Sequence, residues 1–225
     1  MWCVPELTPE FKERMEDVLT LYALPYNAKE PVLCFDEKSK QLIADTRAVA
    51  GTREGTPRRR DYAYKRHGTR NIFVTVEPKG GYRNVAVTEH RRTSDFAKEI
   101  ERIVDLPRYQ SVKKFHIVLD NLNTHFEKSF AETLGAVASK KLTRRIQLHY
   151  TPKHASWLNM AEIEIGVLDR QCIRGRIPLE ERLVEKIAAW QAERNREKAT
   201  IAWRFTVDQA RERFKYTSNE PKKLC

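Results

Sequence analysis

The sequence predicts a mixed α/β fold in which an antiparallel unit comes first and parallel strands are added to the same sheet later. Three observations carry this expectation. Apolar runs at 32–37, 71–78 and 82–90 follow one another with no helical stretch between them, as the strands of an antiparallel unit do. Two later runs, at 115–119 and 145–152, flank a segment of helical periodicity, which is the pattern of a β-α-β unit. Helical segments then follow to the C-terminus.

Each element has its own local signals. Residues 8–24, TPEFKERMEDVLTLYAL, open with Thr8 as a cap, Pro9 in the first turn and Glu10 at the positive helix end. Phe11, Met15, Val18, Leu19 and Tyr22 then keep helical spacing. PYNAKEP (25–31) breaks the chain with two prolines. VLCFDE (32–37) is a short apolar strand ending in Asp36 and Glu37, and QLIAD (41–45) is its candidate short partner. GTREGTPRRRDYAYKRHGTR (51–70) is rich in Gly and Arg and poor in aliphatics, so an excursion from the core is expected over about 46–70.

NIFVTVEP (71–78), a turn at Gly80-Gly81 and YRNVAVTEH (82–90) form an expected hairpin. Helices are expected at 93–106, 126–139, from Asn159 to about Cys172, at 179–195 and at 207–214; strands are expected at 115–119 and 145–152, the latter stopped by Pro152. The expected organisation is a helical lead-in over 1–30, a catalytic domain over 31–178, and C-terminal helices over 179–225 packed on that domain.

Lys and Arg number 42 against 31 for Asp and Glu, a formal net charge of +11. Such an excess favours a polyanionic partner, nucleic acid first, over a merely soluble basic protein. The four cysteines form no C-x-x-C pair, so neither a zinc knuckle nor a disulfide scaffold is expected and a reducing, cytoplasmic compartment is. No apolar run reaches the length of a membrane span.

The carboxylates carry the chemistry. Asp36 and Asp120 stand at matching ends of two apolar strands, 32–37 and 115–119. If these strands are parallel neighbours, both side chains reach one spot at the sheet's C-terminal edge. Two such carboxylates repel unless a proton or a cation lies between them, and Mg²⁺ takes hard oxygen ligands. Turn formation is an equally good local account of Asp120, since Asp and Asn turn well. Glu162 and Glu164 are candidates for a third ligand. Asn159-x-x-Glu162 also has the form of a capping box, in which the glutamate only closes the helix end.

Four segments, VLCFDEKS, YKRHGTRNIFVTVEP, IVLDNLNTH and HYTPKHASWLNMAEIE, together resemble the catalytic domain of bacterial insertion-sequence transposases in the mariner-like DDE superfamily. The resemblance runs from MWCVP to AWRFTVDQAR. It implies an RNase H-like mixed sheet whose first three strands are antiparallel and whose later strands are parallel, flanked by helices. It also implies a metal site of two Asp and one Glu or Asp. The pattern falls on Asp36, Asp120 and, through Leu158-Asn159-x-x-Glu162, on Glu162, which leaves Glu164 as the decoy. The implied activity is Mg²⁺-dependent DNA strand cleavage and strand transfer, with two ions and with Mn²⁺ able to substitute. The implied partners are DNA and a second copy of the chain assembled on DNA. A nuclease without strand transfer, or an inactive DNA-binding remnant, are the rival readings.

Relatives of this kind carry helix-turn-helix modules upstream of the catalytic domain. Here residues 1–30 precede the first strand and supply one helix, so a catalytic domain, as a fragment or a shortened copy, is expected.

The expected DNA-contacting residues are Arg58, Arg59, Arg60, Lys65 and Arg66 in the basic excursion, interleaved with Tyr62 and Tyr64, together with Lys153 and His154 ahead of the catalytic helix. A solvated charge run is the bland alternative. Arg144, Arg145, Arg170, Arg174 and Arg176 are weaker phosphate candidates; Asn121 and Asn123 either orient a metal-bound water or a phosphate or simply make the turn after Asp120, and His125 is expected as a packed or capping histidine rather than a ligand. Trp157, Trp190 and Trp203 are expected in the core.

Overall fold

A computed structural model describes residues 6–47, 61–120 and 128–217. Its centre is a five-stranded sheet of order β3-β2-β1-β4-β5. The strands are β1 (Val32–Asp45), β2 (Tyr64–Glu77), β3 (Tyr82–Thr88), β4 (Phe115–Leu119) and β5 (Ile146–Tyr150). β2 runs antiparallel to both β1 and β3, whereas β4 and β5 are parallel to β1. Around the sheet run α1 (Pro9–Ala23), α2 (Thr93–Val104), α3 (Lys128–Leu134), α4 (Ala136–Arg145), α5 (Met160–Gln171), α6 (Glu180–Arg196) and α7 (Val207–Phe214). This is the mixed α/β sheet that the order of apolar runs predicts.

Alternation along the strands separates two cores. Leu33, Phe35, Phe73, Phe115, Ile117 and Leu119 face one way and pack on Phe96, Ile100 and Ile103 of α2, Phe130 of α3 and Leu142 of α4. Cys34, Val76 and Val118 face the other way, onto Met15, Val18, Leu19 and Tyr22 of α1 and Ala161 of α5. The second face continues through Leu42, Ile72 and Val74 onto Leu168 of α5 and Leu183, Ile187 and Trp190 of α6. Residues of even number on β1 and β4 therefore point toward α1 and α5. Trp157 and Trp203 pack partly buried against the same side.

Several boundaries differ from expectation. The runs 32–37 and 41–45 are one strand, not a strand and its partner, because β2 pairs along both of them with a register shift between Gln41 and Ile43. β2 begins at Tyr64, so residues 64–70 of the basic segment form a paired ribbon with β1, whereas the apolar run predicts a strand start at residue 71. The helix expected over 126–139 is divided at Gly135, which has φ 81°, a conformation open to glycine at little steric cost. α4 then runs on to Arg145.

The edge strand β3 is covered, not left open. Asn195 and Gln191 of α6 accept from the Arg83 and Val85 amides at 2.8 and 2.6 Å, and Asn195 Nδ2 donates to the Arg83 carbonyl at 2.9 Å. A helix thereby satisfies ladder groups that would otherwise be free to pair with another chain. At the hairpin, a Cβ on Gly81 (φ 65°) would lie 2.4 Å from the Lys198 carbonyl oxygen, so the close approach of the two segments requires glycine.

Candidate active site

The parallel pairing of β1 and β4 runs Val32–His116, Leu33–Ile117, Cys34–Val118. Continued by two residues, the same register sets Asp36 beside Asp120, and both lie on the face that carries α5. Asp36 does not end its strand. β1 continues to Asp45 along β2, while β4 ends at Leu119. Asp36 thus sits just beyond the last β1–β4 pair among the described residues, Cys34–Val118, while still paired with Val74 of β2 on its other side.

Glu162 reaches this place on α5. After β5, Thr151 N donates to the Leu119 carbonyl at 2.9 Å, and a short 3-10 turn over Ser156–Leu158 leads to Asn159. Asn159 caps α5, its side chain accepting from Ala161 N, and puts Glu162 in the first turn. The Glu162 amide itself donates to the Asn159 backbone carbonyl at 3.1 Å. The capping-box alternative needs that amide on the Asn159 side chain, so this pattern does not carry it.

The electrostatics of the three carboxyl groups are linked. Asp36 is 7% exposed. Burial, reinforced by the charges of Asp120, Glu37 and Glu162, pushes its carboxyl up to about 8, against the pull of the Glu37 amide on Oδ1. That amide bond is 2.8 Å long. Asp120 Oδ1 is also shielded from solvent, whereas Glu162 is exposed. Among the described residues, no three His, Cys, Asp or Glu side chains are closed around a point where a metal ion could sit. The three carboxylates are therefore electrostatic neighbours without forming a closed shell.

Glu164 goes elsewhere. It is fully buried and accepts from Arg83 Nε at 3.0 Å and from Arg194 at 3.3 Å. Two positions apart on a helix, Glu162 and Glu164 face nearly opposite ways. Arg83 was not legible as a partner: nothing local in YRNVAVT marks an arginine that is 0% exposed.

Of the expected DNA contacts, Lys65 and Arg66 are exposed on the β2 ribbon, and Lys153 and His154 are exposed just before the 3-10 turn. Arg58, Arg59 and Arg60 lie outside the described residues, as do Asn121, Asn123 and His125. Two weaker candidates are engaged within the fold. Arg176 binds Asp45 at 2.6 Å and the carbonyls of Asp61 and Ala63 at 3.0 Å, bracing the ribbon. Arg145 binds Asp105 at 2.7 Å and the Val104 carbonyl at 2.9 Å.

A sheet of this order, with acidic residues where β1 and β4 part, defines an RNase H-like catalytic fold. The chain belongs to the DDE superfamily endonucleases, whose family pattern it matches over residues 31–184. Among solved structures it is similar to the Mos1 mariner paired end complex with Mn, with TM-score 0.54 and 16% identity over 96% of this chain and 63% of that one. It is similar also to the Mos1 strand transfer complex, with TM-score 0.52 and 15% identity over 96% and 62%. The mariner Mos1 paired end complex with Mg gives TM-score 0.53 and 16% identity over 88% and 59%. The chain thus spans less than two thirds of the length of these proteins, and the likeness is one of fold. No curated protein sequence matches it. No helix among the described residues is long and apolar enough to cross a membrane.

Proposed function

We propose that this chain is the catalytic domain of a DDE transposase that cuts DNA strands and joins the freed 3′ ends to a target, moving an insertion sequence in a bacterial cytoplasm. The observation that supports this most is the cost of the site. Burial, with the charges of Asp120, Glu37 and Glu162, raises the pKa of Asp36, an arrangement that destabilises the folded chain unless a cation joins it.

The donor set fits a hard divalent ion, Mg²⁺ with Mn²⁺ as substitute: three carboxylates and no thiol or imidazole. Two ions bound there would supply an activated oxygen nucleophile and stabilise the leaving 3′-oxygen in a direct phosphoryl transfer. Asp36 is the central ligand. The Glu37 amide fixes Oδ1 and so orients the carboxylate before any ion arrives. Asp120, just after β4, and the exposed Glu162 of α5 would hold the ions together with Asp36. No serine or tyrosine nucleophile is required, because the attacking group is water or a DNA 3′-OH. Lys65 and Arg66 on the ribbon, with Arg58, Arg59 and Arg60 beside them in sequence, hold DNA phosphates, as do Lys153 and His154. Two copies of the chain assemble on DNA.

The test is an assay of a labelled duplex with Mg²⁺ or Mn²⁺, scoring both cleavage and the joining of a 3′-OH strand to a second duplex. The native chain is expected to do both, and Asp36→Ala and Asp120→Ala neither, while all three stay folded. Undiminished cleavage by either variant removes the proposed site. Cleavage without joining by the native chain reduces the activity to that of a nuclease.

A further inference from the structure

We infer that Asn159 is a positioning residue that sets the spacing between Glu162 and Asp36, an inference that rests on the carboxylate site proposed above. Its side chain is buried, with 0% exposure. The amide Nδ2 donates to the Phe35 carbonyl at 2.8 Å, and Oδ1 accepts from Ala161 N at 3.1 Å. Its backbone carbonyl accepts from Glu162 N at 3.1 Å, and its own N–H donates to the Ser156 carbonyl at 2.7 Å. A single amide therefore joins the residue before Asp36 to the helix turn that carries Glu162, across 124 positions of sequence.

An ordinary N-cap needs only the acceptor oxygen. The donor end is the additional feature, and it is spent on the strand that bears Asp36. Tyr22 braces the same turn, its hydroxyl donating to the Leu158 carbonyl at 2.9 Å. Asn159 touches no reacting atom. It acts through the distance between two ligands, which must match to fractions of an ångström for a hard cation.

The substitutions that separate cap from clip are Asn159→Ser and Asn159→Asp. Serine keeps a capping oxygen but is too short to bridge to Phe35. Aspartate keeps the shape and the cap but offers an acceptor to an acceptor. The readout is Mn²⁺ binding to the DNA-free chain, by isothermal titration calorimetry or by the electron paramagnetic resonance of free Mn²⁺, with far-UV circular dichroism showing the fold. Both variants are expected to bind Mn²⁺ about ten-fold more weakly or worse while keeping the native spectrum and native DNA affinity. Folded variants with native Mn²⁺ affinity overturn the inference. Unfolding of both variants also overturns it, since the residue then serves stability alone. Glu162→Ala is the control: if it too binds Mn²⁺ as the native chain does, the metal reading of the site fails, not merely the role of Asn159.

Discussion

Arg83 and Glu164 form an ion pair of 3.0 Å in which both side chains are wholly shielded from solvent. Three further guanidinium bonds go to the carbonyls of Gly81, Arg194 and Ala199. The pair ties β3 to α5 and fixes the rotation of the helix that presents Glu162. Removing one partner leaves an uncompensated buried charge, which costs about 3–5 kcal/mol. Glu164→Ala is therefore expected to lower stability in urea unfolding by that amount. Glu162→Ala is expected to leave stability within about 0.5 kcal/mol yet abolish strand cleavage. A stable but inactive Glu164→Ala would exchange their roles.

Asp36 gives a pH signature to the metal-free chain. Burial, then the charges of Asp120, Glu37 and Glu162, lift its pKa to about 8 from an ordinary 3.8. Since the folded pKa lies above the unfolded one, the stability linked to this group is complete below pH 3.8 and is lost as pH climbs toward about 8. Asp36→Asn should thus gain stability over the native chain as pH rises through that window, reaching on the order of a few kcal/mol, while losing cleavage. A stability difference that does not vary with pH would contradict the burial argument.

A second titration lies on the same sheet face, away from the carboxylates. His149 Nδ1 donates to Asp17 at 2.7 Å, and His149 Nε2 lies 3.0 Å from His116 Nδ1. Burial first, then the neighbouring charges of His149 and Lys114, lower the His116 pKa below 6.5. Here the unfolded chain binds the proton more readily, so stability is lost as pH falls below 6.5. Thermal melts of His116→Gln between pH 7.5 and 5.5 should show a smaller loss than the native chain. An equal loss would place the acid sensitivity elsewhere.

The ribbon tests the DNA reading. Lys65 and Arg66 are successive exposed residues of β2. Replacing both by alanine should weaken duplex binding at all sequences alike and make the slope of log affinity against log salt shallower by about 2. An unchanged slope would assign the ribbon to protein contacts.

The strands and helices were legible because their signals are local. Thr8 caps α1 by accepting from Phe11 N at 3.1 Å, and alternation along 71–76 buries Ile72, Phe73, Val74 and Val76 between helices on both faces. The extension of β2 back to Tyr64 was not legible, because Lys65, Arg66 and His67 look like loop residues and take strand form only by pairing with β1. Asp36 and Asp120 could be named from their places in two apolar runs, but their common face depends on a parallel register that no local pattern states. Arg83 and the donor end of Asn159 were hidden for the same reason. Their partners, Glu164 and the Phe35 carbonyl, are 81 and 124 positions away, and buried polar pairs leave no periodicity.

The proposed function requires side chains remote in sequence to bind divalent ions at one point of the sheet. Anomalous diffraction from crystals of the chain grown in Mn²⁺ tests it most directly. Metal peaks bounded by carboxylate oxygens of Asp36, Asp120 and Glu162 are expected, and are expected to vanish when Asp36 is alanine. Manganese bound elsewhere, with those three carboxylates uncoordinated at saturating concentration, would contradict it.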